Sequence, residues 1–175
     1  MNVLLDETLE AYKNGMSAGA DETKALEYFK IAADAGYVEA QVKTGLLYKA
    51  QGNNLQAMRY LIAAAYNNSA QAQALITYVS NISDSNPLNK DFRSLDALRQ
   101  KELIEALIKT QIRPTLAYDG GGLELVNFIP GETPQIWLSY LGACSGCHLS
   151  STSTADMLLD NFQTMIDKNV VLYLM

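Results

Sequence analysis

The sequence predicts two domains, an all-α helical array followed by a small α/β domain with a mixed sheet. Over residues 1–80 apolar side chains recur at helical spacing, with turn residues between short runs. Further along, short apolar runs bounded by glycine and proline replace that period. Between the two lies a polar stretch around Pro87 that fits neither pattern. The expected bounds are 1–80 for the helical domain, 81–95 for a linker and 96–175 for the α/β domain.

In the first domain Leu5, Leu9, Tyr12 and Met16 share one helix face, and Asn14-Gly15 supplies a stop. Asp21 is placed to cap a helix carrying Ala25, Leu26, Phe29, Ala32 and Ala33, which Gly36 ends in a left-handed conformation. A further helix runs from about Val38 to Lys49. The pattern then recurs 32 residues on: Lys24-Ala-Leu-Glu-Tyr28, Ala32-Ala33 and Ala40-Gln41 are matched by Gln56-Ala-Met-Arg-Tyr60, Ala64-Ala65 and Ala72-Gln73. Alanines at fixed helical positions let paired helices approach closely. With these residues, positions 5–80 resemble the tetratricopeptide family in its Sel1-like form, which implies a surface that docks a protein partner. The second unit departs from the family at Asn68, where a helix-ending glycine is usual.

In the second domain a helix carrying Leu98, Leu103, Ile104, Leu107 and Ile108 is expected to end before Pro114, because a residue preceding proline is pushed out of the helical region. Three strands are then expected over Pro114–Tyr118, Leu123–Ile129 and Gln135–Leu141. Turns at Asp119–Gly122 and Pro130–Pro134 would join them as hairpins. A helix carrying Ala155, Met157, Leu158, Phe162, Met165 and Ile166 and a closing strand over Val170–Leu174 complete the domain. Trp137 and the helix methionines are assigned to the core, and Asp119 to turn formation.

Composition bounds the function. With 175 residues, 49% of them hydrophobic and 18% charged, the chain can build a packed core without disulfides. A net charge of -6, with no basic stripe, excludes a nucleic-acid or anionic-membrane surface. No apolar run approaches the roughly 18–20 residues of a membrane span. The acidic stretch Met1–Glu10 lacks a signal pattern, so a cytoplasmic location with reduced thiols is expected.

Both cysteines, Cys144 and Cys147, and the one histidine, His148, fall in Leu141-Gly-Ala-Cys-Ser-Gly-Cys-His-Leu-Ser-Ser-Thr-Ser-Thr154. If the last helix begins at the serines and threonines, the sulfurs lie at or just before a helix N-terminus, where the dipole favours thiolate. Gly142 and Gly146 let the backbone bend tightly and offer N–H groups to an anion. Four chemistries use such a pair. Structural zinc needs four ligands, and His148 leaves the set short. A thioredoxin-like pair has the strand before and helix after, but not this approach through hairpins. Cys144-Ser-Gly-Cys147-His148 spells the c-type haem attachment pattern, a chemistry of exported proteins. An iron–sulfur cluster takes four thiolates, which two chains meeting at these loops would supply. No Ser-His-Asp set, phosphate loop or carboxylate pair is present, so no enzymatic activity is expected.

The run Ile112-Arg-Pro-Thr-Leu-Ala-Tyr-Asp-Gly-Gly121, then Leu123-Glu-Leu-Val126, then Leu141-Gly-Ala-Cys-Ser-Gly-Cys147 with Ser150-Ser151-Thr152, resembles the C-terminal domain of the NifU (Nfu) family over about residues 97–175. The resemblance implies an iron–sulfur scaffold or carrier. Such a protein holds a cluster, usually [4Fe-4S], between two protomers and passes it to apo-proteins, with Cys144 and Cys147 as ligands to the iron. Its partners would be a second copy of the chain, cluster assembly proteins and apo clients. The chain departs from the family pattern at His148, where proline usually follows the second cysteine, and at Gly122, where an acidic residue often follows Asp-Gly-Gly. His148 is read as bordering the ligands without coordinating. The alternative function is a helical-repeat adaptor whose Cys-x-x-Cys module is structural or redox-sensing.

Overall fold

The computed structural model describes residues 3–81, 89–117, 120–142 and 152–175. The chain divides into two units, Met1–Ile76 and Thr77–Met175.

The first unit is helical: α1 (Val3–Ser17), α2 (Glu22–Asp34), α3 (Val38–Ala50), α4 (Asn54–Tyr66) and a short α5 (Ala70–Leu75). Its local chemistry repeats at the 32-residue interval. The Asp21 carboxylate accepts from the Lys24 N–H at 3.0 Å, and 32 positions on the Asn53 side chain accepts from the Gln56 N–H at 3.3 Å. The Gln41 amide donates to the Ala33 carbonyl, and the Gln73 amide to that of Ala65. Gly36 ends α2 at φ 91°, and its counterpart Asn68 follows α4 at φ 65°. In both turns the next two N–H groups, of Gly36 and Tyr37 or of Asn68 and Ser69, return to carbonyls of the preceding helix. Asparagine is the side chain that best tolerates this conformation, so the turn survives without glycine.

Contrary to the expected stop at Asn14-Gly15, α1 runs through both residues and gives way before Gly19, which has φ 61°. Gly15 serves close approach instead, since a methyl group there would come within 2.6 Å of the Phe29 ring. Gly45 does the same for α3 against α4, with Leu61 Cγ at 2.6 Å from the position of a Cβ. Phe29 and Leu61 are themselves 32 residues apart. Ala32, Ala40, Ala57, Ala64 and Ala72 are fully buried, so the helices meet through small residues. The Tyr60 hydroxyl donates to Asp34 at 2.6 Å, tying α4 to α2.

The second unit contains β1 (Thr77–Val79), α6 (Lys90–Ser94), α7 (Ala97–Leu107), a π-helical turn (Ile108–Ile112), α8 (Arg113–Ala117), β2 (Gly121–Ile129), β3 (Gln135–Gly142), α9 (Thr152–Met165) and β4 (Val171–Leu174). Its four-stranded sheet has the order β1-β4-β3-β2. The β1–β4 and β2–β3 pairs are antiparallel and β3–β4 is parallel, so the sheet is mixed as expected. Ile136, Leu138 and Tyr140 alternate along β3 into a core shared with Ile104, Leu107, Leu158 and Phe162 of the helices. Trp137 is also buried, on the other face, where its ring packs edge-on to Tyr173.

Several expectations differ from this. The sheet begins at Thr77, inside the stretch read as helical, because Thr77–Val79 pairs with Leu172–Leu174. Residues 90–94, inside the stretch read as a linker, form α6, and Phe92 is a core residue. Met165 is exposed, whereas Met157 packs against the core.

The largest correction concerns Pro114–Tyr118. Its residues up to Ala117 form a helix, not a strand, and no hairpin joins them to β2; Tyr118 lies outside the described residues. Proline inside an α-helix clashes with the carbonyl four residues back and lacks an N–H. Here the preceding five residues widen into a π turn in which the Arg113 N–H bonds to the Ile108 carbonyl, so the helical path continues past the ring. The hydroxyls of Thr110 and Thr115 donate to the carbonyls of Ala106 and Gln111, satisfying acceptors around the altered turn.

At the base of the sheet the Asp167 side chain is fully buried. It accepts from Arg93 Nε at 2.8 Å and Nη2 at 3.1 Å, and from the backbone N–H groups of Asn89 and Asn169. Arg93 also donates to the carbonyls of Gly131 and Glu132 in the β2–β3 turn. Burial alone would push the Asp167 carboxyl up, but the guanidinium and the two N–H groups outweigh it and hold the group below the usual carboxylate range.

Arg93→Ala, which leaves this carboxylate buried and unpaired, is expected to destabilise the second unit by about 3 kcal/mol in urea unfolding. Because the folded value is depressed, the pair's contribution is complete above the unfolded carboxylate range of about 4 and declines as pH falls toward the lower folded value. Unfolding midpoints of parent and Arg93→Ala are therefore expected to converge in acid. Gly45→Ala gains up to about 1 kcal/mol of helix propensity. It loses about 1–3 kcal/mol by overpacking against fully buried Leu61. A net loss of up to about 2 kcal/mol is expected in thermal unfolding of the first unit.

Candidate functional site

Cys144, Cys147 and His148 lie outside the described residues, as does Asp119. The structure describes the framework on either side of the cysteines. Upstream the chain is carried by β3, an interior strand. It pairs with β2 up to Gly121↔Gly142 and with β4 over Gln135–Leu138. Beyond β4 the Tyr140 N–H bonds to the Met175 carbonyl and the Met175 N–H to the Leu138 carbonyl, extending the parallel pairing to the last residue. Downstream the chain enters α9 at Thr152.

The first turn of α9 holds no acidic residue to offset its N-terminal partial charge. A 14-residue helix beginning there favours negative charge on the residues that lead into it. The helix start at Thr152 agrees with that expected at the serines and threonines.

The facing end of the β2–β3 pair is built of glycine. Gly121 and Gly122 stand opposite Gly142 and Leu141, and Gly120 and Gly142 both have left-handed φ, 73° and 66°. The expectation that Gly142 bends the backbone is met. The Arg113 Nε donates to the Leu123 carbonyl at 3.0 Å, fastening the start of α8 to β2 beside this end. Three motifs far apart in sequence thus converge: Arg113-Pro114 bonds to β2, the glycines begin β2, and their partner Gly142 leads into the cysteines. Read as a strand, Pro114–Tyr118 gave no hint of the arginine's bond, and nothing in residue type signals that the Leu123 carbonyl is its acceptor.

Among the described residues no group of three or more His, Cys, Asp and Glu side chains is arranged to hold a metal ion. Nor is any described helix long and apolar enough to cross a membrane. In the helical unit a separate cleft is lined by Tyr12, Glu39, Val42, Lys43, Asn68 and Gln71.

Residues 104–171 match the family model of the NifU-like domain, and this stretch of the chain is a NifU-like domain. Over 51 residues the chain is 43% identical to NifU-like protein 4, mitochondrial, of Arabidopsis thaliana, covering 29% of this chain and 18% of that protein. It is 40% identical over 52 residues to the NifU-like protein, mitochondrial, of Saccharomyces cerevisiae, covering 30% of this chain and 20% of that one. The chain thus spans about a fifth of the length of the curated relatives it matches. No solved structure matches.

Proposed function

We propose that the protein is an iron–sulfur cluster scaffold or carrier and not a catalyst. Its cargo is a cluster, [4Fe-4S], bound between two protomers through Cys144 and Cys147 and passed to apo-proteins. The observation that carries this reading is the Arg113 bond to β2 beside the glycine-built sheet end, within a NifU-like domain in which Gly142 leads in sequence into Cys144 and Cys147. Two thiolates ahead of a helix whose first turn has no acidic residue suit an anionic cluster. Two chains then complete the four thiolates, making a homodimer the loaded form. His148 borders the ligands. The reducing cytoplasm suits this chemistry and is the proposed location; the relatives matched carry "mitochondrial" in their names.

The helical unit is proposed as a tetratricopeptide array of the Sel1-like kind that docks an assembly or client protein. Supporting this is the recurrence of its caps, turns and glutamine bonds at the 32-residue interval. The same recurrence favours a second reading, an adaptor whose Cys-x-x-Cys module serves structure or redox sensing.

Anaerobic reconstitution is expected to give about four irons and four sulfides per two chains, with a dimeric native mass. Cys144→Ala and Cys147→Ala are each expected to abolish loading; retention of iron and sulfide by either would sink the carrier reading. Removing residues 1–76, which leaves β1 in place, is expected to preserve cluster transfer and eliminate partner binding. Loss of transfer with full loading would favour the adaptor.

A further inference from the structure

Gly142 combines two constraints that the left-handed Gly19, Gly36, Gly52 and Gly131 do not share. It is the last residue of β3, still paired with Gly121, yet its φ of 66° turns the backbone out of the strand direction two residues before Cys144. In addition, a methyl group on Gly142 would lie 3.0 Å from the Gly120 carbonyl oxygen, itself held by a residue at φ 73°. At Gly19, Gly36, Gly52 and Gly131, which also have positive φ, a methyl group would meet nothing within 4 Å. Those positions require only the conformation, and Asn68 shows that this chain accepts a side chain where conformation is the sole demand. Gly142 requires both the conformation and the absence of a side chain.

We infer that the Gly120 carbonyl acts as a backbone stop against which Gly142 turns, and that Gly142 is thereby a positioning residue for the Cys144 and Cys147 thiolates. The inference rests on the carrier reading for the identity of the cargo, and on the sheet-end geometry for its cause. A carbonyl oxygen is backbone and cannot rotate away as a side chain would, so a Cβ at 142 makes the Gly120 backbone or Gly142 itself give by a few tenths of an ångström where the cysteine segment begins. Gly122 is the internal contrast. It occupies the adjacent pair of the same ladder, and a methyl there would lie an ordinary 3.5 Å from Leu141 Cβ.

The test compares full-length parent, Gly142→Ala, Gly142→Asn and Gly122→Ala. After anaerobic reconstitution, iron and sulfide content, the visible circular dichroism of the cluster and the rate of iron loss to a chelator are measured, with urea unfolding as the check on folding. Both Gly142 variants are expected to lose iron about tenfold faster or more, the range seen when groups that orient metal ligands are removed. An altered dichroism spectrum is expected with them, while Gly122→Ala matches the parent. Asparagine accepts the left-handed conformation but retains the Cβ, so it separates the two constraints; parent-like behaviour of Gly142→Asn overturns the inference. If Gly142→Ala does not fold, Gly142→Asn carries the test. Alkylation rates of Cys144 and Cys147 in cluster-free protein, read by mass spectrometry, keep the result independent of loading. A parent that takes up no cluster defeats the carrier reading, while unchanged alkylation in Gly142→Asn defeats the positioning role.

Discussion

The layout of the second unit depends on one buried ion pair, Arg93 with Asp167. Asp167 stands between the end of α9 and the start of β4, and Arg93 reaches from α6 past it to the β2–β3 turn. The pair therefore joins the two points from which the parallel strands β3 and β4 set out. Beside it the Val171 N–H bonds to the Pro134 carbonyl, and the register Gln135↔Val171 follows. A parallel pair has no hairpin to fix its register, so something else must. Once the register is set at the base, the far end of β3 is set too, and with it the residue from which the cysteine segment departs.

The helical unit solves a different problem by different means. Its helices bury alanines more than large side chains, so their backbones approach closely and small volume changes are felt at once. Gly15 beneath Phe29 and Gly45 beneath Leu61 are the points of closest approach. Phe29 and Leu61 stand 32 residues apart, as in the sequence repeat, while the glycines they meet stand 30 apart.

Much of this was legible in residue order. The 32-residue interval, the caps at Asp21 and Gly36, the strands at Leu123–Ile129 and Gln135–Leu141 and the last helix all follow from period and turn chemistry. The misreadings have physical causes. Gly15 signals a stop by composition, but tertiary contact with Phe29 overrides that signal. Pro114 signals a boundary because proline disrupts an α-helix, but a π turn changes the hydrogen-bond pattern that makes it disruptive. Thr77–Val79 is too short to show a period and is a strand only because β4 lies alongside it. At the site, cysteine spacing singles out Cys144 and Cys147 as candidate ligands, whereas the lack of room for a Cβ at Gly142 beside the Gly120 carbonyl joins residues remote in sequence and leaves no mark in residue type beyond glycine itself.

The bonding of Met175 into the sheet has a practical side. Its N–H and carbonyl extend the parallel pairing along β3 to Tyr140, two residues short of Gly142. Whatever is attached after Met175, whether a purification tag, a fluorophore or a fused domain, starts out beside the strand that delivers the cysteines. Met175 is thus part of the framework of that strand, and an attachment made there is not neutral.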